Sequence, residues 1–431
     1  MAKNNIKDGD LVDITTDEKK LRGILMPSSK DSLVLKLDSG YNIGMQRNKI
    51  KKINLIKKYN KKEEKIKERL KFNKALPTIS ILHTGGTIAS KVDYRTGAVT
   101  TRFTPEDLIA MFPELKNIAN IKSRLVFQMF SEDMEPEHWQ ILAKEVTKEL
   151  EKSDGVIITH GTDTMHYTSS ALSFMLQDLD KPVILVGAQR SSDRGSSDAF
   201  LNLICAINFI TKTNFAGVAI CMHKDMSDDT CYIHKGTKVR KLHTSRRDAF
   251  KSINEKPIAE VTKEGKVNFL SNYIKKESKK TILKNKFEKK IALIKIRPGF
   301  SYKELEFYEK NKYKGIIIEG TGLGHMPANI LDKYTKDHKK LLDTLKRLSK
   351  NMLICMASQC IFGRVNMNVY STGIDLQNSG VIPLEDILSE TAYVKLGWAL
   401  ANAKNLEEAK TLMLRNIAGE ISERTTTEFI E

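Results

Sequence analysis

The stretch ISILHTGGTIAS, residues 79–90, sets the reading of the whole chain. A largely apolar run from Ile79 to Leu82 ends at His83-Thr84, Gly85-Gly86 turns the backbone, and Thr87 follows. A run of this kind stopping at paired glycines reads as a buried strand entering a tight turn. The stretch GVIITHGTDT, residues 155–164, repeats the plan, with Thr162-Asp163 behind a His-Gly turn. Two such strands lying side by side would deliver two threonines to one site.

Outward from these stretches, the strands TISILH, DGVIITH, KPVILVGA and GVAICM alternate with helical segments. TPEDLIAMF opens with Thr104 as N-cap, Pro105 at the first helical position and Asp107 as the box partner. EHWQILAKEVTKELEK places Trp139, Leu142, Val146 and Leu150 on one face, and SSALSFMLQDL and DAFLNLICAINFI read as helices too, the latter capped by Asp198. Near-continuous apolar strands between amphipathic helices predict a mostly parallel sheet covered on both faces. Ligands of such sheets bind at the carboxyl ends of the strands, where both threonine loops fall.

This larger α/β domain is expected over 77–251, an extended or looped connection over 252–289, and a smaller α/β domain over 290–431. In front, residues 1–57 hold short alternating runs split by Pro27-Ser28-Ser29 and Asp38-Ser39-Gly40, the pattern of a small all-β barrel. Residues 58–76 are a charge-dense run, readable as a solvated helical linker or as a basic arm for nucleic acid.

Composition bounds the function. The 431 residues carry 40% hydrophobic and 29% charged side chains, as in a soluble globular protein. No apolar run approaches the ~20 residues of a membrane helix, and MAKNNIKDGDLV contains no apolar segment of a secretory signal. Five scattered cysteines show no paired metal-ligand spacing and read as reduced thiols of a cytoplasmic protein. Net charge is +18, from 71 Lys and Arg against 53 Asp and Glu. That excess suits contact with a polyanion such as RNA, or simply a lysine-rich composition. A non-catalytic RNA-binding scaffold would use the same charge.

A threonine hydroxyl attacks a carbonyl only when a base takes its proton and donors receive the oxyanion. Thr87 behind Gly85-Gly86 meets the second demand through nearby backbone N–H groups. Thr162-Asp163 needs a cation to form a relay, and the stretch HKGTKVRKLHTSRRDAF offers Lys235, Lys238, Arg240 and Lys241 without choosing among them. Phosphate binding is a poor fit, because the Lys-[Ser/Thr] ending of a P-loop and the GxGxxG pattern are both missing from the loop. His83 and His160 read as hydrogen-bonded packing residues, and no zinc ligand spacing accompanies them.

HTGGTIAS, THGTDTM, KPVILVGAQRSSDRGSSDAFLNL and GRVNMNVYSTG closely resemble the L-asparaginase/glutaminase family of amidohydrolases over residues 77–431. The resemblance implies an asparaginase-like two-domain fold and a set of roles. Thr87 matches the acyl-forming nucleophile, and Thr162 and Asp163 match the second hydroxyl and its orienting carboxylate. Lys241, nine residues before Phe250 in KLHTSRRDAFKS, matches the family's lysine. Tyr94 matches the tyrosine that moves a proton to or from the nucleophile, Ser131 the holder of the substrate α-carboxylate, and Glu132 a substrate contact. No metal is implied.

The unit ahead of residue 77 is foreign to a free-standing asparaginase or glutaminase, which is the alternative reading. Its layout resembles that of the glutaminase subunits of archaeal glutamyl-tRNA(Gln) amidotransferases. This resemblance implies glutamine as substrate and ammonia as product. A partner, the amidotransferase E subunit, would then use ATP and Mg to turn Glu-tRNA(Gln) into Gln-tRNA(Gln), with no cofactor in this chain. It also implies a homodimer within a heterotetramer, each site completed by a neighbouring subunit's smaller domain.

Overall fold

The computed structural model describes residues 6–17, 19–26, 28, 31–37, 42–58, 72–86, 90–92, 99–101, 115, 117–190 and 197–424. Thr87, Tyr94 and the expected helix start at Thr104–Asp107 lie outside the described residues, as does most of the 58–76 run.

Strands β1 (Leu11–Thr16), β2 (Lys20–Met26), β3 (Ser32–Lys36), β4 (Asn42–Gln46) and β5 (Ile50–Lys57) carry the alternating runs of the N-terminal unit. The unit expected as a small barrel is an antiparallel sheet in the order β4-β3-β2-β1-β5. Alternation places Val12, Ile14, Leu33 and Leu35 on one face with Leu25, where all five are buried. Each such side chain contributes about 1.5–3 kcal/mol on burial. Gly23 is required there, since a Cβ would collide with the Lys36 carbonyl.

The large sheet begins with β6 (Thr78–Gly85), every residue of which is buried. A short ladder, β7 (Ser90–Val92) with β8 (Val99–Thr101), precedes β9 (Asn120–Met129). Helix α1 (Pro136–Leu150) starts with proline at its first position, where no intrahelical donor is needed. The Glu135 N–H donates to His138 Nδ1, and Ser153 Oγ donates to the Glu149 carbonyl at the far end. Its expected face, Trp139, Leu142, Val146 and Leu150, is buried as a stripe, so Leu142→Ala should cost about 2–5 kcal/mol.

Strand β10 (Gly155–Thr159) leads into helix α2 (Met165–Met175). The helical reading of SSALSFMLQDL is corrected at its end. Residues Leu176–Gln177 leave the helix as β11, and Asp178 takes a positive φ of 53°. Then come β12 (Pro182–Val186), helix α3 (Ala199–Lys212), β13 (Gly217–His223), β14 (Thr230–Lys235), β15 (Val239–Lys241) and β16 (Phe250–Ser252).

The expected loop over 252–289 is also corrected. Strands β17 (Ala259–Thr262) and β18 (Val267–Phe269) extend the large sheet, and β19 (Ile282–Leu283) pairs with β11. The larger domain therefore runs past 251. Its sheet order is β18-β17-β14-β13-β12-β10-β6-β9. The stretch from β9 to β13 is parallel, as expected, and β14, β17 and β18 add an antiparallel edge. The chain leaves β6 for β9 on one side and returns to β10 on the other, so the direction of winding reverses between β6 and β10. A crevice forms at such a reversal, outside the carboxyl ends of the strands.

The small domain holds β20 (Ile291–Lys295), helix α4 (Tyr302–Lys310), β21 (Gly315–Gly320), helix α5 (His338–Leu348), β22 (Leu353–Ser358), helix α6 (Ser371–Asn378), β23 (Val381–Pro383), helix α7 (Ser389–Asn402) and helix α8 (Leu406–Leu414). Its four strands are parallel in chain order. Among the described residues no helix is long and apolar enough to cross a membrane.

Candidate active site

The two glycine turns meet. Gly85 and Gly86 at the end of β6 have φ of 111° and 79°, a region that side chains disfavour. A Cβ on Gly86 would lie 2.5 Å from the Gly161 nitrogen, and one on Gly85 would collide with the Met129 carbonyl. A Cβ on Gly161 would lie 2.8 Å from Ser131 Cβ and Oγ, and one on Gly187 would lie 2.7 Å from Thr162 Cγ2. Bare glycine backbone thus lets the ends of β6, β9, β10 and β12 crowd together.

Hydrogen bonds beneath the turns fix this arrangement. His83 Nδ1 is bonded to Thr159 Oγ1 at 2.8 Å and Nε2 to Ser123 Oγ at 2.7 Å, which ties β6 to both neighbours. Thr84 Oγ1 donates to the Thr159 carbonyl at 2.9 Å. His160 Nδ1 faces the Gly161 carbonyl at 2.7 Å, and a carbonyl only accepts, so Nδ1 carries the proton. Nε2 then accepts from Thr168 Oγ1 at 2.8 Å. Burial pushes His83 and His160 each down to about 4, so both rings are neutral near pH 7. These are satisfied packing histidines, as expected.

Lys241 sits at the end of β15, paired across to Phe250. Its Nζ donates to Thr162 Oγ1 and to Asp163 Oδ1, both at 2.8 Å. The Lys241 side chain is 9% exposed while that of Asp163 is 66% exposed, so the group opens to solvent on the carboxylate side. Ser131 is buried beside the same loop, and its carbonyl accepts from Thr164 Oγ1 at 2.6 Å. The Ser131 hydroxyl lies 3.5 Å from Glu132 Oε2, and Glu132 is exposed. Of the seven expected site residues, the structure brings together Thr162, Asp163, Lys241, Ser131 and Glu132. Thr87 directly follows the Gly85-Gly86 turn in sequence.

The other cations of the 235–241 stretch are engaged elsewhere. Lys235 Nζ meets Glu255 Oε2 at 2.6 Å, Lys238 Nζ meets Asp386 Oδ2 at 2.5 Å, and Arg240 Nη2 meets Glu390 Oε1 at 2.8 Å. Asp198 is corrected as a helix cap. It occupies that position, but its carboxylate accepts from the Gln189 and Arg190 backbone N–H groups at 2.9–3.0 Å and so holds these two residues after β12. Thr164 and Gly161 went unassigned in the sequence, although both stand inside the GTDT motif.

A threonine hydroxyl held by a lysine, beside paired glycine turns and at the reversal point of a parallel sheet, suits acyl transfer from an amide. Comparison with known proteins agrees in all three parts of the chain. The "GatD N-terminal domain" model matches residues 6–56, "Asparaginase, N-terminal" residues 78–275, and "Glutaminase/Asparaginase C-terminal domain" residues 290–413. The thermostable L-asparaginase from Thermococcus kodakarensis superposes with a TM-score of 0.72 at 31% identity, over 80% of this chain and 100% of its own. L-asparaginase I from Vibrio cholerae gives 0.70 at 29% identity, over 81% of this chain and 100% of its own. The D subunit of glutamyl-tRNA(Gln) amidotransferase from Pyrococcus furiosus is 50% identical, covering 99% of this chain and 97% of its own. The D subunit from Methanococcus maripaludis is 48% identical, covering 97% and 99%. Matched from end to end and in all three domains, the chain belongs to the family of glutamyl-tRNA(Gln) amidotransferase D subunits, with an asparaginase-type glutaminase unit behind a GatD N-terminal domain.

Proposed function

We propose that this chain hydrolyses glutamine to glutamate and ammonia, and that the ammonia amidates Glu-tRNA(Gln) in a complex. The observation that carries the reading is the Lys241 Nζ bridge to Thr162 Oγ1 and Asp163 Oδ1 beside the apposed glycine turns. Thr87 Oγ attacks the side-chain amide carbon of glutamine, with Tyr94 moving the proton. Backbone N–H groups of the glycine turns receive the oxyanion, a type of contact worth about 10²–10³ in rate. The C–N bond breaks as the nitrogen takes a proton and leaves as ammonia, giving an ester on Thr87. Water adds to that ester; Lys241 passes a proton through Thr162 Oγ1 to the departing Thr87 oxygen and takes one back from the water, so that glutamate leaves as the Thr87 hydroxyl is restored.

Ser131 and Glu132 hold the α-carboxylate and α-amino ends of the substrate. Asp163 keeps Lys241 aimed, since a lysine ammonium on a four-carbon stem otherwise samples many positions. ATP and Mg belong to the activation of Glu-tRNA(Gln) by a partner, the amidotransferase E subunit. The complex is a cytoplasmic heterotetramer built on a dimer of this chain. The names of the Pyrococcus and Methanococcus relatives and the N-terminal match support this reading over a free-standing asparaginase or glutaminase. Thr87→Ala tests it. Glutamine-dependent amidation should vanish while amidation from added ammonia persists, and loss of both would remove this chain as ammonia donor.

A further inference from the structure

The backbone of residues 237–241 is gripped from two sides. Val239 packs into the hydrophobic core, and Lys241 reaches Thr162 and Asp163 of the larger domain. The alternate side chains, Lys238 and Arg240, turn the other way and meet carboxylates of the small domain. Lys238 Nζ donates to Asp386 Oδ2 at 2.5 Å, with both side chains at most 2% exposed. Arg240 Nη2 lies 2.8 Å from Glu390 Oε1 in the first turn of α7, where Glu390 is 7% exposed and Arg240 29%. Next to that pair, Thr391 Oγ1 donates to the Thr237 carbonyl at 3.0 Å and shares a hydrogen bond with Ser170 Oγ of α2.

We propose that Arg240 and Glu390 are positioning residues for Lys241, the small domain setting the height of β15 and so the approach of Lys241 Nζ to Thr162 Oγ1. The inference rests on the proton-carrying role of Lys241 given above. A strand one residue from the reacting group moves that group directly, and a displacement of about 1 Å can cost on the order of 10²-fold in rate. Lys238–Asp386 is the deeper anchor, but both of its charges are buried, so removing one endangers the fold. Arg240 is the accessible handle on the same strand.

The test uses the full-length chain together with its co-purifying partner and measures kcat and KM for ammonia release from glutamine, beside the thermal midpoint. Arg240→Met and Glu390→Gln should each lower kcat per folded molecule about tenfold or more, with KM held within about twofold. Arg240→Met, which strands the buried Glu390 carboxylate, should also lower the midpoint, and Glu390→Gln should lower it less. Arg240→Lys should fall between, because an ammonium cannot reproduce the reach of the guanidinium. The exchanged pair Arg240→Glu with Glu390→Arg should recover kcat relative to either single reversal. Full kcat in Glu390→Gln, or kcat losses that only follow the folded fraction, would overturn the proposal. Lys241→Met separates the two ideas. If it stays active, the reading of Lys241 falls and this proposal with it; if it is dead while Glu390→Gln is unimpaired, the positioning role alone falls.

Discussion

Lys238 and Lys241 stand three residues apart, and each pairs with an aspartate at 2.5–2.8 Å, yet their surroundings differ completely. Lys238 and Asp386 are closed off from water, with the lysine also donating to the Asp386 carbonyl at 3.2 Å. Burial pulls the Lys238 ammonium down while Asp386 pushes it back up. Such a pair locks two domains together and has no room for a substrate. Lys241 shares its protons between a hydroxyl and a carboxylate that opens to solvent, so the group reaches water through Asp163. An ion pair becomes chemistry when one of its members stays accessible and a transferable proton sits next to it.

The contrast can be broken in order of expected effect. Lys241→Met should lower glutaminase kcat by about 10²–10⁴, the span of a positioned proton carrier, with little change in the unfolding midpoint. Lys238→Met should do its damage to stability, by about 3–5 kcal/mol in urea unfolding, because Asp386 is left charged and buried. Adding Asp386→Leu to it should return much of that loss, and no recovery would show that the pair contributes more than charge balance. Gly161→Ala should cost about 1–3 kcal/mol by forcing a Cβ onto Ser131. A raised KM for glutamine is expected if Ser131 holds its α-carboxylate, whereas an unchanged KM would argue against that contact.

Ring by ring, the mildest effect is a slope with pH. Burial holds His166 and His234 at about 3, and His83 and His160 at about 4, against an ordinary 6.5. Below pH 6.5 the unfolded chain takes up protons that the native rings refuse. The stability they contribute is therefore whole above pH 6.5 and lost as pH falls toward 4 and then 3. Each ring adds a slope of at most about 1.4 kcal/mol per pH unit. Urea midpoints that stay flat from pH 7 to pH 5 would contradict neutral, buried histidines.

Much of this was legible in the amino-acid sequence where physics acts locally. The apolar runs 79–82 and 156–158 are buried strands, and the 3.6-residue spacing from Trp139 to Leu150 is a buried helical stripe. Failures came where tertiary pairing overrides a local pattern. The periodicity of SSALSFMLQDL continues past Met175, but pairing with Ile282–Leu283 draws Leu176–Gln177 out of the helix. AEVT and VNF are too short to stand out as strands and form only against the edge at β14. Asp198 has the sequence position of a cap but serves another loop. In the site, the Thr162-Asp163 motif was readable. Spacing alone could not separate Lys241 from Lys235, Lys238 and Arg240, because only three-dimensional facing divides them; the family resemblance selected Lys241.

We propose that Lys241 serves the ammonia-producing step and nothing downstream of it. This role is tested most directly by assaying Lys241→Met, in complex with its partner, for conversion of Glu-tRNA(Gln) with either glutamine or ammonium chloride as nitrogen source. The glutamine-dependent reaction should be lost with the ammonium-dependent one intact. Equal activity with glutamine and ammonium, or equal loss of both, would contradict that role.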